Sequence, residues 1–348
     1  MATEVKINKS QTVIAKDFAT DQDVRWCPGC GDYSILKQVQ SVFAELGLNK
    51  DEVAIVSGIG CSSRFPYYME TYGMHSIHGR APAVASGLKL ANRALSVWVI
   101  TGDGDGLSIG GNHLLHVLRR NMDLNILLFN NQIYGLTKGQ YSPTSELQKK
   151  TKSTPMGSID YPINPAAFAL GADATFVARS MDRDPAHLKE MLKRCYQHKG
   201  TAFLEVYQNC NIFNDGAFFA FTEKDRKPDT CLFVQNGQPL VFGSEMTKGI
   251  RIDSVTPKVV DINNGKYNRD DLWVHEENDI FKASMLARFF EDPSARENAL
   301  PRPFGVIYSV DKTCYEDLLF EQIQTAIDQK GIGNLKELIA GNSTWEIK

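Results

Sequence analysis

The chain lacks any long apolar run. No stretch of about 18 successive hydrophobic residues occurs, and the N-terminus carries no apolar segment behind its charges. No membrane span or export signal is therefore expected, and the cytoplasm is the expected location. It also lacks a surplus of positive charge. Lys and Arg number 38 against 41 Asp and Glu, a formal net charge of -3 without a basic block, so nucleic acid and anionic membrane are not expected as main partners. Cysteine is scarce and odd in number, seven in 348 residues, which is not the pattern of a disulfide framework; reduced thiols or metal ligands are expected instead. Two common phosphate signatures are missing as well. There is no Gly-Lys-Ser/Thr to make a P-loop, and the glycines at 102, 104 and 106 do not fit G-x-G-x-x-G. No internal repeat or low-complexity segment is found.

What is present is enough apolar material, 43% of residues, to bury a large core, and it is arranged as short apolar runs alternating with helical periodicity. That pattern predicts an α/β fold, a mostly parallel sheet flanked by helices. Two runs, 97–100 and 126–129, read as buried strands, and each ends in a polar motif: Gly102-Asp103-Gly104-Asp105-Gly106 after the first, Asn130-Asn131-Gln132-Ile133-Tyr134-Gly135 after the second. In open α/β sheets ligands collect beyond the carboxyl ends of the strands, so Asp103 and Asn131 are expected to meet at one edge. With a backbone carbonyl and two diphosphate oxygens they suit Mg2+, which prefers a few protein oxygens plus substrate phosphate. The glycines let backbone N–H groups approach the phosphate, and the following helix start adds its positive end.

Trp26-Cys27-Pro28-Gly29-Cys30-Gly31 opens a helix whose stripe of Ile35, Leu36, Val39, Val42, Phe43 and Leu46 stops at Gly47. By itself this Cys-x-x-Cys fits a redox dithiol, half a zinc site or half an iron–sulfur site. A strand over 53–57 leads into Gly58-Ile59-Gly60-Cys61-Ser62-Ser63, and a strand over 202–207 leads into Gln208-Asn209-Cys210. Four predicted strands thus end in Cys61, Asp103, Asn131 and Cys210, as one site at one edge of a parallel sheet requires.

The remaining candidates read as structural. His75 and His78 lack a third ligand in range, so one imidazole bonded near the site and one at the surface is expected. His113 and His116 lie on a helix with an inward stripe of Leu114, Leu115, Val117, Leu118 and Met122. Cys195 falls in the apolar stripe of a later helix and is expected in the core. Residues 136–165 form a long polar loop, a plausible lid or partner-facing segment. The expected division is an N-terminal arm over 1–23, a cofactor-binding domain over 24–211, a further region over 212–275 and a C-terminal extension over 276–348.

With these motifs assembled, the chain resembles the β subunit of 2-oxoacid:ferredoxin oxidoreductases, thiamine diphosphate enzymes that include 2-oxoglutarate and pyruvate synthases. The likeness is carried by Gly102-Asp103-Gly104 with Asn130-Asn131 following at the thiamine spacing, and by the cysteine motifs, over roughly residues 25–211. It implies Mg2+ held by Asp103, Asn131 and the carbonyl of Ile133, and one 4Fe–4S cluster held by Cys27, Cys30, Cys61 and Cys210. It implies a thiamine diphosphate site lined by Gly60, Cys61, Ser62, His78, Gly79, Arg80, Gly102, Gly104, Asp105, Gly135, Leu136 and Thr137, with His78, Arg80 and Lys138 as the catalytic candidates. The implied reaction is coenzyme A-dependent oxidative decarboxylation of a 2-oxoacid, or its reverse, with electrons leaving through the cluster to ferredoxin. An α subunit is implied too, since the glutamate that activates the aminopyrimidine ring comes from it, giving an αβ unit or a dimer of it. Lys138, in a Thr-Lys-Gly-Gln run, suits the distal carboxylate of 2-oxoglutarate and favours that substrate over pyruvate. A pyruvate-specific member of the same family, a non-redox thiamine carboligase or decarboxylase and a non-catalytic metal-binding scaffold are the alternatives; neither of the last two accounts for the cysteines and the Mg2+ pattern together.

Overall fold

The computed structural model describes residues 13–293, 299–345 and 347; residues 1–12 of the expected arm lie outside it. Its central sheet has eight strands: β1 (Val53–Ser57), β2 (Tyr72–His75), β3 (Ser96–Gly102), β4 (Asn125–Asn130), β5 (Phe176–Met181), β6 (Ala202–Tyr207), β7 (Cys231–Phe233) and β11 (Arg302–Ser309). Their order is β2-β1-β3-β4-β6-β5-β11-β7. The run from β2 to β5 is parallel throughout, whereas β11 lies antiparallel to β5 and parallel to β7. Strands β8 (Val241–Phe242), β9 (Lys248–Asp253) and β10 (Thr256–Asp261) form a separate small antiparallel sheet.

Helices cover both faces, which is why β1, β4 and β6 read as nearly unbroken apolar runs. Side chains alternate between two cores: Val97 and Val99 of β3 join one, Trp98 and Ile100 the other. The first core takes Ala81 and Ala85 from α2 (Ala81–Ala91), Leu114, Val117 and Leu118 from α3 (Gly111–Arg120), and Ala166 and Ala169 from α4 (Pro165–Gly171). The second takes the expected stripe of α1 (Asp32–Glu45) and Leu188, Met191, Leu192 and Cys195 of α5 (Pro185–Gln197). Cys195 is thus a core residue, as its place in the stripe predicts.

One detail differs from the sequence reading: Leu115, expected on the inward stripe of its helix, is exposed. Strand β2 is exposed along its whole length. The C-terminal region is woven into the domain, because β11 pairs inside the main sheet. Among the described residues no helix is long and apolar enough to cross a membrane.

Candidate functional site

Strands β1, β3, β4 and β6 are consecutive neighbours and parallel, so the turns that follow them open at one edge. Cys61, Asp103, Asn131 and Cys210 follow those four strands, and the structure brings them to two adjoining cavities.

The first cavity, about 130 Å3, is lined by every expected thiamine-side and Mg2+-side residue except Gly79 and Arg80. Asp103 is buried on its floor. Ser142 Oγ and Thr144 Oγ1 both donate to its Oδ2, the latter at 2.6 Å, and no ion pair reaches it among the described residues. Burial pushes its carboxyl up to about 6, against the lowering effect of those hydroxyls. Asn131 presents Nδ2 to Gln208 Oε1 at 2.8 Å, and its Oδ1 accepts from Ile133 N at 3.2 Å.

Asp105 is the organiser of this side. Its Oδ1 accepts from Ile59 N (3.0 Å), Gly79 N (2.7 Å) and His78 Nδ1 (2.5 Å), and its Oδ2 from Thr101 Oγ1 (2.6 Å). A carboxylate that accepts on every side pins the turn after β1 to the His78-Gly79 turn, and the wide turn opening the next helix closes on its carbonyl through Gly110 N at 3.1 Å. Because the carboxylate accepts, Nδ1 of His78 carries the proton, and Nε2 is the ring nitrogen left for the cavity. Gly79 and Arg80 stand one step behind: Gly79 bonds Asp105, and Arg80 Nη1 donates to the carbonyls of His78 (3.2 Å) and Ile109 (3.3 Å). His75 lies instead on exposed β2 against the ring of Tyr67. At Gly104 a Cβ would fall 2.2 Å from the Tyr134 ring, whose hydroxyl donates to the Gly104 carbonyl at 3.0 Å, so only glycine fits.

The second cavity, about 260 Å3, is lined by Cys27, Cys30, Cys61 and Cys210, with Arg25, Arg64 and Lys138 also contributing. The Cys-x-x-Cys turn closes through Cys30 N to Cys27 O (3.1 Å) and is tied to the end of β6 by Gly31 N to Asn209 O (3.1 Å). Trp26 Nε1 holds the Cys61 carbonyl at 2.7 Å. A Cβ on Gly135 would sit 3.5 Å from both the Cys61 and Cys210 sulfurs, so its absence keeps the space between them open. Burial, and then the charge of Asp32, pushes the Cys61 thiol up to about 12 and raises Cys30 further still. Asp32 itself is buried, and burial lifts its carboxyl to about 7. Among the described residues no group of three His, Cys, Asp or Glu side chains is placed to hold a metal ion; the four cysteines line the one cavity.

Lys138 lines this second cavity and not the first, in a left-handed backbone conformation (φ 77°). Sequence reasoning missed Ser142, Thr144 and Ser145. They lie in the loop expected to be a lid or partner-facing, yet all three are buried against the floor of the first cavity, with Ser145 Oγ donating to Gln132 O at 2.5 Å. It also missed the support beneath them. Thr144 Oγ1 bonds Asn130 Oδ1 (2.9 Å), Asn130 Nδ2 donates to Glu205 (2.8 Å), and Glu205 pairs with Arg179 (2.7 Å), both fully buried. An acidic and a basic residue in the middle of two apolar strands was the available signal.

A family model described as thiamine pyrophosphate enzyme, C-terminal TPP binding domain, matches residues 58–206. The chain is 48% identical over 341 residues to the 2-oxoglutarate oxidoreductase subunit KorB of Mycobacterium tuberculosis, spanning 95% of this chain and 88% of that protein. It is 48% identical over 201 residues to the β subunit of 2-oxoacid:ferredoxin oxidoreductase 1 of Aeropyrum pernix, 58% of this chain and 63% of that one. Among solved structures it is similar to a 2-oxoglutarate:ferredoxin oxidoreductase from Magnetococcus marinus with 2-oxoglutarate, coenzyme A and succinyl-CoA bound: TM-score 0.76, 32% identity, 97% of this chain and 98% of that chain. Extensive identity with the fold, and the thiamine-type domain where the strand-end motifs lie, lead to one conclusion: the chain belongs to the β-subunit family of the 2-oxoacid:ferredoxin oxidoreductases.

Proposed function

We propose that this chain is the β subunit of a 2-oxoglutarate:ferredoxin oxidoreductase that acts with an α subunit, coenzyme A and ferredoxin. The observation that carries the reading is that the two cavities share a wall, since Cys61, Asn131, Gly135 and Leu136 line both. A hard oxygen site and a soft thiol site separated by one layer of residues suit a reaction whose electrons pass from one group to the next.

The residues present fit both groups. A buried carboxylate with no ion pair among the described residues, the Asn131 oxygen and the Ile133 carbonyl make a donor set for Mg2+ and a diphosphate. Four cysteines lining one cavity, Cys27, Cys30, Cys61 and Cys210, are the number of thiolate ligands that a 4Fe–4S cluster takes. When bound, thiamine diphosphate supplies the electron sink for decarboxylation and the cluster supplies one-electron transfer.

The chain's own residues then do the following. Asp105 holds His78 so that Nε2 gives or takes a proton at the cavity, and Arg80 fixes the His78 carbonyl behind it. Gly104 and Tyr134 shape the floor on which the diphosphate would rest. Lys138, exposed and next in the chain to Thr137 of the first cavity, supplies a cation for the distal carboxylate of 2-oxoglutarate. Anaerobic co-expression with the α partner, followed by ferredoxin reduction with coenzyme A present, tests the reading. Faster turnover of 2-oxoglutarate than of pyruvate is expected; ferredoxin reduction by neither substrate would reject it.

A further inference from the structure

Gln208 follows β6, is buried at 1% exposure and lines the cysteine cavity beside Asn131, a residue of the wall that the two cavities share. Its carboxamide touches both sides. Nε2 donates to the Asn209 carbonyl at 2.6 Å and to Cys30 Sγ at 3.3 Å, while Oε1 accepts from Asn131 Nδ2 at 2.8 Å. The orientation follows from chemistry: a backbone carbonyl can only accept, so the Gln208 nitrogen must face Asn209, and its oxygen must then face Asn131. Asn131 is thereby obliged to turn its own nitrogen toward Gln208. Only its Oδ1 remains for a cation, and oxygen is the atom that Mg2+ takes.

We infer that Gln208 is a positioning residue that serves both centres at once, orienting the Asn131 oxygen for Mg2+ and donating an N–H to the cluster sulfur of Cys30. The inference rests on the reading of the two cavities as a Mg2+–thiamine site and a 4Fe–4S site. Outer partners of metal ligands set ligand orientation, and hydrogen bonds to cluster sulfurs set reduction potential, so one residue here reaches two measurable properties.

Two variants of the assembled αβ complex separate its roles. Gln208→Glu keeps an oxygen for Asn131 and removes the donor to Cys30; Gln208→Met removes both. The midpoint potential is read from the EPR signal of the reduced cluster during potentiometric titration at matched iron content. Mg2+ affinity is read from reactivation after EDTA treatment and from Mg2+-dependent thiamine diphosphate binding. In both variants the reduced-to-oxidised ratio at fixed ambient potential is expected to fall about tenfold, about 59 mV for a one-electron couple. In Gln208→Met the Mg2+ affinity is expected to fall about tenfold as well, at the lower end of outer-partner effects, and in Gln208→Glu to stay within about twofold. An unchanged potential in both variants, or an unchanged Mg2+ affinity in Gln208→Met, overturns the inference. The wild-type complex is the control for the underlying reading. If it shows no reducible cluster or no Mg2+ dependence, the assignment of the cavities fails, and not the role of Gln208 alone.

Discussion

The two cavities lie side by side but are built differently. On the carboxylate side Asp103 and Asp105 are held by hydroxyls, backbone N–H groups and an imidazole, all in place within the chain itself. That support continues downward through Thr144, Asn130 and Glu205 to Arg179, deep in the sheet. On the cysteine side four cysteines line one cavity, burial works against the thiolate of Cys30 and Cys61, and Gln208 donates to Cys30. The first site is preorganised by the fold. On the proposed reading the second would be organised by what it binds, since metal coordination is what makes a buried thiolate favourable.

The contrast is easiest to break from the cysteine side. Cys30→Ala in the αβ complex is expected to abolish cluster iron and to lower ferredoxin reduction by more than about a hundredfold, beyond the range for an outer partner, while thiamine diphosphate binding survives. Iron analysis and equilibrium binding check this pair of outcomes. Next in size, Glu205→Gln leaves Arg179 buried without its partner, at a cost of about 3–5 kcal/mol in denaturant unfolding. In the folded fraction it is expected to weaken Mg2+ affinity through Asn130 and Thr144 and to leave the iron content unchanged.

Asp103→Asn runs in opposite directions for stability and function. The charged carboxyl is disfavoured in the fold, its value raised to about 6 from an ordinary 3.8, so above that range it lowers the stability of the Mg2+-free protein. Removing the charge is expected to raise the stability of the EDTA-treated complex at neutral pH by about 1–3 kcal/mol while Mg2+ binding is lost. The sign of the pH dependence follows: the folded state holds the proton more tightly than the unfolded one, so the gain shrinks as pH falls through about 6 and vanishes below about 4. Thermal unfolding across that window checks it. The smallest effect is expected at the rim, where Lys138→Ala should lower the preference for 2-oxoglutarate over pyruvate by about tenfold, the worth of one charge-assisted contact. An unchanged kcat/KM ratio for the two substrates would remove Lys138 from specificity.

How much of this was legible in the sequence depended on whether the signal was local. The parallel strands β1, β4 and β6 were readable to within a residue or so because burial on both faces leaves unbroken apolar runs. Their carboxyl ends could therefore be lined up, and Cys61, Asp103, Asn131 and Cys210 assembled before any coordinates. Strand β2 gave no such signal, because Tyr72-Gly73-Met74-His75 is an exposed edge with nothing to bury. Ser142 and Thr144 were unreadable for a related reason. Hydroxyls in a polar loop look like surface until the chain folds back and sets them under Asp103, a contact about forty residues away in sequence. The place of β11 inside the main sheet was equally non-local, since its partners β5 and β7 lie far from it in sequence.

The central claim is that the shared wall separates a Mg2+–thiamine site from a 4Fe–4S cluster within this one chain. Cofactor analysis of the anaerobically purified αβ complex tests it most directly. Thiamine diphosphate, Mg2+ and iron with equimolar acid-labile sulfide are expected together, with iron and sulfide lost in Cys210→Ala and thiamine diphosphate retained. Thiamine diphosphate without iron, or zinc in place of iron, would contradict the account.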